Sequence, residues 1–355
     1  MDFELNEAQR LLKETAADFA RRRIMPVARQ NDIDGRFPDD IVREMGELGF
    51  YGGVIPEEYG GAGMDYISYA VLMEEISKAC SSVRTVLSVQ MSLVASTILK
   101  WGSEAQKHKY LPLLCSAEWI GCLGLTEPDV GSDAQNIKTF ATKTDSGWRL
   151  DGQKIWISNG GVAQIALVIA QTDRDNSRRM AAFLVETDTP GFESKNMRGK
   201  LGLRSSNTAE LFLAGVDVPD DALMGEVGDG FKVAMSALDN GRYSVAAGCL
   251  GIAQASLEAA VAYAKERHTF GKPIAAHQLV QEIIARMVVD IDASRLLVYR
   301  AGELKNAGVP NTKETSIAKY FASETALRCA NDAIQIHGGM GYSDEFPVER
   351  YMRDA

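Results

Sequence analysis

The sequence predicts an α, then β, then α architecture. An N-terminal helical domain spans 1–118, a middle all-β domain of barrel or sandwich type spans 119–226, and a C-terminal bundle of four-helix type spans 227–355. Three observations predict it. Apolar residues at helical spacing, with two capping boxes, fill the first third. From Trp119, short apolar runs alternate with Gly, Asp, Asn and Pro. After Gly228-Asp-Gly230 the long helical stretches return.

In chain order, Asn6 and Gln9 form a capping box, and Ala8, Leu11, Leu12, Thr15 and Phe19 follow at helical spacing until Pro26 limits the run. A helix fits Pro38 to Leu48 and stops at Gly49. A Gly-rich loop over 56–63 precedes helices at about 65–78 and 83–100. Ser103 and Gln106 cap the run to Leu114. Strands are expected at 120–125, 138–144, 148–150, 154–158, 165–170, 181–186 and 209–218, with a charged hairpin tip at 173–179. Helices then cover 231–267, 273–306 and 312–336. Ile283, Met287, Val288 and Ile291 make an apolar stripe that suits a bundle or a subunit interface.

The 355 residues are 46% hydrophobic and 24% charged, with ample length for a core. A net charge of −10 argues against nucleic-acid and anionic-membrane surfaces. Five cysteines without a C-x-x-C pair read as reduced thiols of a cytoplasmic protein, not as a disulfide or metal framework. Met1-Asp2-Phe3-Glu4 does not open a signal peptide, and no apolar run is expected to span a bilayer.

The rest is organised around residues 122–132, where an apolar run breaks into Thr126-Glu127-Pro128 and then Gly131-Ser132-Asp133. An extended backbone there can face the edge of a planar ligand, and Thr126 and Ser132 add hydroxyls. A second strand, Lys154 to Gly161, puts Trp156 and Ser158 two apart and hence on one side. The same residues also suit two plain core strands.

These motifs, with Arg267-His-Thr-Phe-Gly271 and Gln335-Ile-His-Gly-Gly-Met-Gly-Tyr342, resemble the acyl-CoA dehydrogenase family in the same order along the whole chain. The resemblance implies FAD between the middle and C-terminal domains, with Leu123, Leu125 and Thr126 lining the isoalloxazine. Ser158 would bond near flavin N5 and Trp156 would pack beside the ring. Arg267, Thr269, Phe270 and Gln278 would reach the FAD of a neighbouring subunit, Arg267 pairing with pyrophosphate through its planar fork. By residue type alone Arg267 also suits a basic helix C-cap. Gln335, Gly338 and Gly339 would cradle pyrophosphate and ribose, and the same glycines suit a simple cap and turn. Ser132, Asp239 and Arg242 would meet the CoA chain, although Arg242 also suits an i, i+3 pair with Asp239. No histidine carries catalytic weight and no metal is implied.

The implied reaction is α,β-desaturation of an acyl-CoA thioester, with electrons passing to an electron-transfer flavoprotein and a homotetramer, a dimer of dimers, as the assembly. The usual glutamate base follows an Arg-Asp-Ala lead-in, which Arg353-Asp354-Ala355 matches at the end of the sequence; the base is expected beyond Ala355. The family's minority position for it is Gly241 here, which cannot serve. Arg84, in Cys80 to Leu93, matches the arginine that holds a distal carboxylate in glutaryl-CoA dehydrogenases, which points to a short dicarboxylyl-CoA. Alternatively Arg84 turns to solvent or bonds a nearby carboxylate such as Glu75. An acyl-CoA oxidase and a catalytically inactive flavin-binding subunit are the competing readings.

Overall fold

The computed structural model describes residues 4–176 and 179–355. Met1 to Phe3, part of the signal-peptide reading, and Ser177 and Arg178 of the expected hairpin tip lie outside the described residues. The N-terminal helices are α1 (Glu7–Phe19), α2 (Met25–Asp34), α3 (Asp39–Glu47), α4 (Tyr66–Ala79), α5 (Ser81–Ser88), α6 (Ser96–Trp101) and α7 (Glu104–Cys115). Both capping boxes form: the side chains of Asn6 and Ser103 accept from the backbones of Gln9 and Gln106, whose side chains bond back.

Two expectations about this part change. Pro26 does not end the first helix. A π-wound turn, Ala20–Ile24, carries α1 into α2, and Pro26 sits in the first turn of α2. The wider turn accommodates a residue that lacks an N–H and crowds the preceding carbonyls. The buried stripe of α1 is also rotated: Leu11 is 64% exposed, whereas Gln9, Ala16 and Phe19 face inward. A second π-wound turn, Val89–Ala95, joins α5 to α6.

The middle domain is an eight-stranded sheet of β1 (Gly121–Gly124), β2 (Phe140–Thr144), β3 (Gly147–Ser158), β4 (Ile165–Gln171), β5 (Met180–Glu186), β6 (Phe192–Asn196), β7 (Thr208–Val218) and β8 (Leu223–Met224), ordered β6-β7-β3-β2-β4-β5-β8, with β1 parallel to β4. The expected runs at 148–150 and 154–158 are one strand. β6 escapes the sequence reading because its residues Glu193 to Asn196 are exposed and polar and show no alternation. Strands β4 and β5 are buried on both faces. Ile165, Leu167, Ile169, Met180, Ala182 and Leu184 enter the helical core, while Ala166, Val168, Ala170, Ala181, Phe183 and Val185 enter the sheet's own core. Period-two side chains thereby make one wall of two cores.

The C-terminal part holds α8 (Gly230–Glu266), a hairpin of β9 (His268–Thr269) and β10 (Lys272–Pro273), then α9 (Gln278–Asn306), α10 (Thr312–His337) and α11 (Val348–Asp354). Helix α8 lies against α4, α9 and α10. Helix α9 starts at Gln278, five residues later than expected, because Pro273 closes the hairpin and a short 3-10 turn follows it. Of the expected stripe, Met287 and Ile291 are buried, whereas Val288 is 49% exposed. Two helical stretches, Ser81–Trp101 and Gly230–Glu266, have the length and apolar composition of bilayer spans, contrary to the sequence reading. Their apolar windows are 78% and 61% buried inside the fold, which marks them as core helices.

Candidate active site

Three groups of residues carry the site. The first joins β1 to the end of β3. Opposite β7, Lys154 pairs with Leu211 and Ile157 with Ala209, so β3 has one residue too many across this step. The resulting bulge holds Trp156 in the left-handed region at φ 61°, with its indole 58% exposed. Simple alternation therefore does not govern Trp156 and Ser158, as the sequence reading had it. A left-handed backbone at an aromatic residue costs roughly 1–3 kcal/mol and persists only where its surroundings enforce it. Ile155 N–H donates to Thr126 O at 2.9 Å, which brings Leu123, Leu125 and Thr126 beside Trp156 and Ser158. Leu123 and Leu125 are buried, and Thr126 and Ser158 are half-buried.

Beneath this junction lies an ion pair that sequence reasoning missed. Lys154, fully buried, donates to Glu127 Oε1 at 2.8 Å and to Leu125 O at 3.1 Å. Glu127 also accepts from the N–H groups of Lys138 and Thr139. Burial pulls the Lys154 ammonium down to about 8 against the opposing attraction of Glu127. Burial raises the Glu127 carboxyl, but Lys154 and the donors around it leave it below its ordinary value. This carboxylate is held as an acceptor and is not placed as a free base.

The second group is the hairpin after α8. Phe270 (φ 51°) and Gly271 (φ 78°) fill a two-residue turn in which both central residues are left-handed. Phe270 is 95% exposed at its tip, and Arg267 and Gln278 are exposed at its base. Thr269 Oγ1 and His277 Nε2 lie 3.1 Å apart. Among the described residues the side-chain hydrogen bonds of the hairpin are with its own flank, and none joins Arg267 to Trp156. At the end of α10, Gln335, Gly338 and Gly339 are exposed, and a Cβ on either glycine would meet open space.

The third group lies between α4, α5 and α8. Arg84 is buried, its Nε has no hydrogen-bond partner, and it makes no ion pair among the described residues. Burial lowers its pKa, offset in part by Cys249 and Tyr69. Neither alternative describes Arg84: it is only 6% exposed, and among the described residues Glu75 pairs with Lys13 and Lys78 and no carboxylate pairs with Arg84. Gly248 makes the room, since a Cβ there would stand 2.6 Å from Arg84 Nε. Hydroxyls surround the region: Ser88 and Ser244 bond at 2.5 Å, and Tyr69 and Ser92 at 2.9 Å. Further along α8, Asp239 pairs with Arg242 and accepts from Thr312 Oγ1 at 3.0 Å. A side chain at Gly241 would run into Leu93, 2.7 Å away. Ser132 is exposed on the loop after β1.

Three family models match in order: the acyl-CoA dehydrogenase N-terminal domain over 6–118, middle domain over 122–216 and C-terminal domain over 228–355. This chain belongs to the acyl-CoA dehydrogenase family. The family comprises FAD flavoproteins that oxidise a CH–CH bond of acyl-CoA. The rat mitochondrial short-chain specific acyl-CoA dehydrogenase is 44% identical over 99% of this chain and 86% of its own length. The glutaryl-CoA dehydrogenase of Desulfococcus multivorans is also 44% identical, over 100% and 92%. The butyryl-CoA dehydrogenase structure from Megasphaera elsdenii superposes with a TM-score of 0.97 at 42% identity, over 100% of this chain and 94% of that one. The residues present fit a flavin: an indole fixed by a bulge beside Thr126, with the buried Asn159 Oδ1 nearby unsatisfied.

Proposed function

We propose that the chain is a dehydrogenase for a short dicarboxylyl-CoA such as glutaryl-CoA, with Arg84 holding the distal carboxylate. The carrying observation is the buried, unpaired guanidinium. Burying a charge without a partner is costly, and a carboxylate ligand offers the planar two-point match that removes the cost. Gly248 and the hydroxyls of Ser88, Ser92 and Ser244 leave a small polar floor there. Asp239, Arg242 and Ser132 are assigned to the CoA chain, where the Asp239–Arg242 pair presents a fixed guanidinium.

FAD, when bound, supplies the hydride acceptor. Leu123, Leu125, Thr126, Trp156 and Ser158 orient its ring, and the hairpin residues Arg267, Thr269 and Phe270, with Gln278, serve the FAD of a second copy. The exposure of Phe270 and Arg267 supports that exchange between subunits. Gln335, Gly338 and Gly339 serve the pyrophosphate side. Glu127 and Asp239 are both engaged, so neither is assigned as the proton-abstracting base. A homotetramer, an electron-transfer flavoprotein as acceptor and a cytoplasmic setting complete the proposal.

The test compares glutaryl-CoA with butyryl-CoA as ligands of the FAD-loaded protein, by calorimetry and flavin absorbance. Glutaryl-CoA should bind more tightly, and Arg84→Gln should erase the difference. Equal affinities in both proteins would leave an ordinary short-chain enzyme.

A further inference from the structure

We propose that Lys154 and Asn159 are positioning residues that set the flavin-facing backbone by bridging β1 to the bulged end of β3 with side chains where no ladder exists. The proposal rests on the reading that residues 123–126 and 156–158 face the flavin. Among the described residues strand β1 pairs only with β4, and β3 pairs with β2 and β7. No sheet ladder joins the two segments; a single backbone bond, Ile155 N–H to Thr126 O at 2.9 Å, ties them at the middle of the bulge and leaves its two ends without a backbone link to β1 among the described residues.

Side chains make up that lack at both ends of the bulge. At its start, the Lys154 stem passes under Gly124, where a Cβ would stand 3.4 Å from Lys154 Cγ. Its ammonium then reaches Leu125 O, with Glu127 holding it in place. At its end, Asn159 is fully buried with φ 65°, its N–H donates to Asn207 O, and its Nδ2 donates to Gly121 O at 3.3 Å. The two braces grip the first residue of β1 and the residue just after its last, and Trp156 to Ser158 lie between them in sequence. A neutral brace alone would leave the Leu125 carbonyl free to turn. A charged donor in a dry site fixes it more firmly, because hydrogen bonds to charged groups are about twice as strong as neutral ones. The Glu127 carboxylate keeps that charge from being stranded.

The test uses full-length, FAD-loaded protein and four readouts: FAD dissociation constant, flavin circular dichroism, flavin reduction potential and thermal midpoint. Lys154→Met strands Glu127 and should lower the midpoint as well as the flavin readouts. Lys154→Met/Glu127→Gln removes both charges, so the midpoint should recover while FAD binding stays weakened about tenfold or more and the dichroism and potential stay shifted. Recovery of all four in the double variant would reduce the pair to a fold element and overturn the proposal. Asn159→Gly keeps the left-handed backbone without strain and removes only the side-chain bridge. It should fold normally and show the same flavin shifts in smaller measure; wild-type flavin properties there would also overturn the proposal, and this variant decides if the double variant does not fold. Wild-type protein that takes up no FAD would instead sink the flavin-site reading itself.

Discussion

Two buried cations in this chain have opposite surroundings. Lys154 is enclosed in the sheet with a carboxylate and a carbonyl within hydrogen-bond reach. Arg84 is enclosed in the helices with an orphaned Nε and, among the described residues, no ion-pair partner. Native proteins satisfy nearly all buried polar groups, so a fully satisfied charge belongs to the fold and an unsatisfied one points to something the fold awaits. The same burial is compensated from within the chain in one place and left uncompensated in the other, and the proposed ligand at Arg84 rests on that difference.

The contrast breaks most readily at Lys154. Lys154→Met should cost about 3–5 kcal/mol in urea denaturation, because Glu127 is left buried without a counter-charge. A loss under 1 kcal/mol would mean that the pair is already hydrated. Arg84→Gln should behave in the opposite way. Without ligand, stability should hold or rise, whereas glutaryl-CoA affinity should fall by roughly 1.5–3 kcal/mol, the worth of a charge-assisted bond. Marked destabilisation of the ligand-free protein would show that the guanidinium was satisfied after all. Gly248→Ala sharpens the point. Its Cβ would press on Arg84 Nε, and overpacking of this kind costs about 1–3 kcal/mol. Combined with Arg84→Met the penalty should vanish, and simple additivity would place the strain elsewhere. The smallest expected effect is at the surface: Arg267→Ala should weaken FAD binding about tenfold, with the midpoint of the FAD-free protein unchanged. Full retention of FAD affinity would remove Arg267 from the cofactor site.

Much of the fold was legible because its signals are local. Asn6 with Gln9, and Ser103 with Gln106, announce helix starts within four residues. The apolar runs of β4 and β5 announce buried strands. What was not legible depends on partners distant in sequence or on backbone form. Lys154 finds Glu127 across 27 residues, and no spacing rule reports that contact. The bulge at Trp156 depends on the register with β7. Arg84 could be singled out from its sequence context, but its lack of a partner is a property of three packed helices. The site residues themselves came from motif resemblance, and geometry adds why Trp156 is held as it is.

The π-wound turn at Val89–Ala95 has a consequence for single-residue deletions. It carries one residue more than an α-helix would, so the two flanks answer to different neighbours. On one flank, Arg84 and Ser88 face α8. Within the turn itself, Gln90 is completely buried and accepts from Gly121 N–H at 2.7 Å while donating to Leu114 O and Trp119 O. Deleting the extra residue would restore an ordinary helix and keep both flanks in phase, because the wider turn absorbs that residue, whereas a deletion in the regular helix on either side would rotate everything beyond it by about 100°. The second kind of loss would put Arg84 and Ser88 out of phase with Gln90 and its bond to Gly121. A frame-preserving loss of one codon should thus be tolerated better inside this turn than in the helix on either side of it, which makes its position, more than its composition, the heritable constraint.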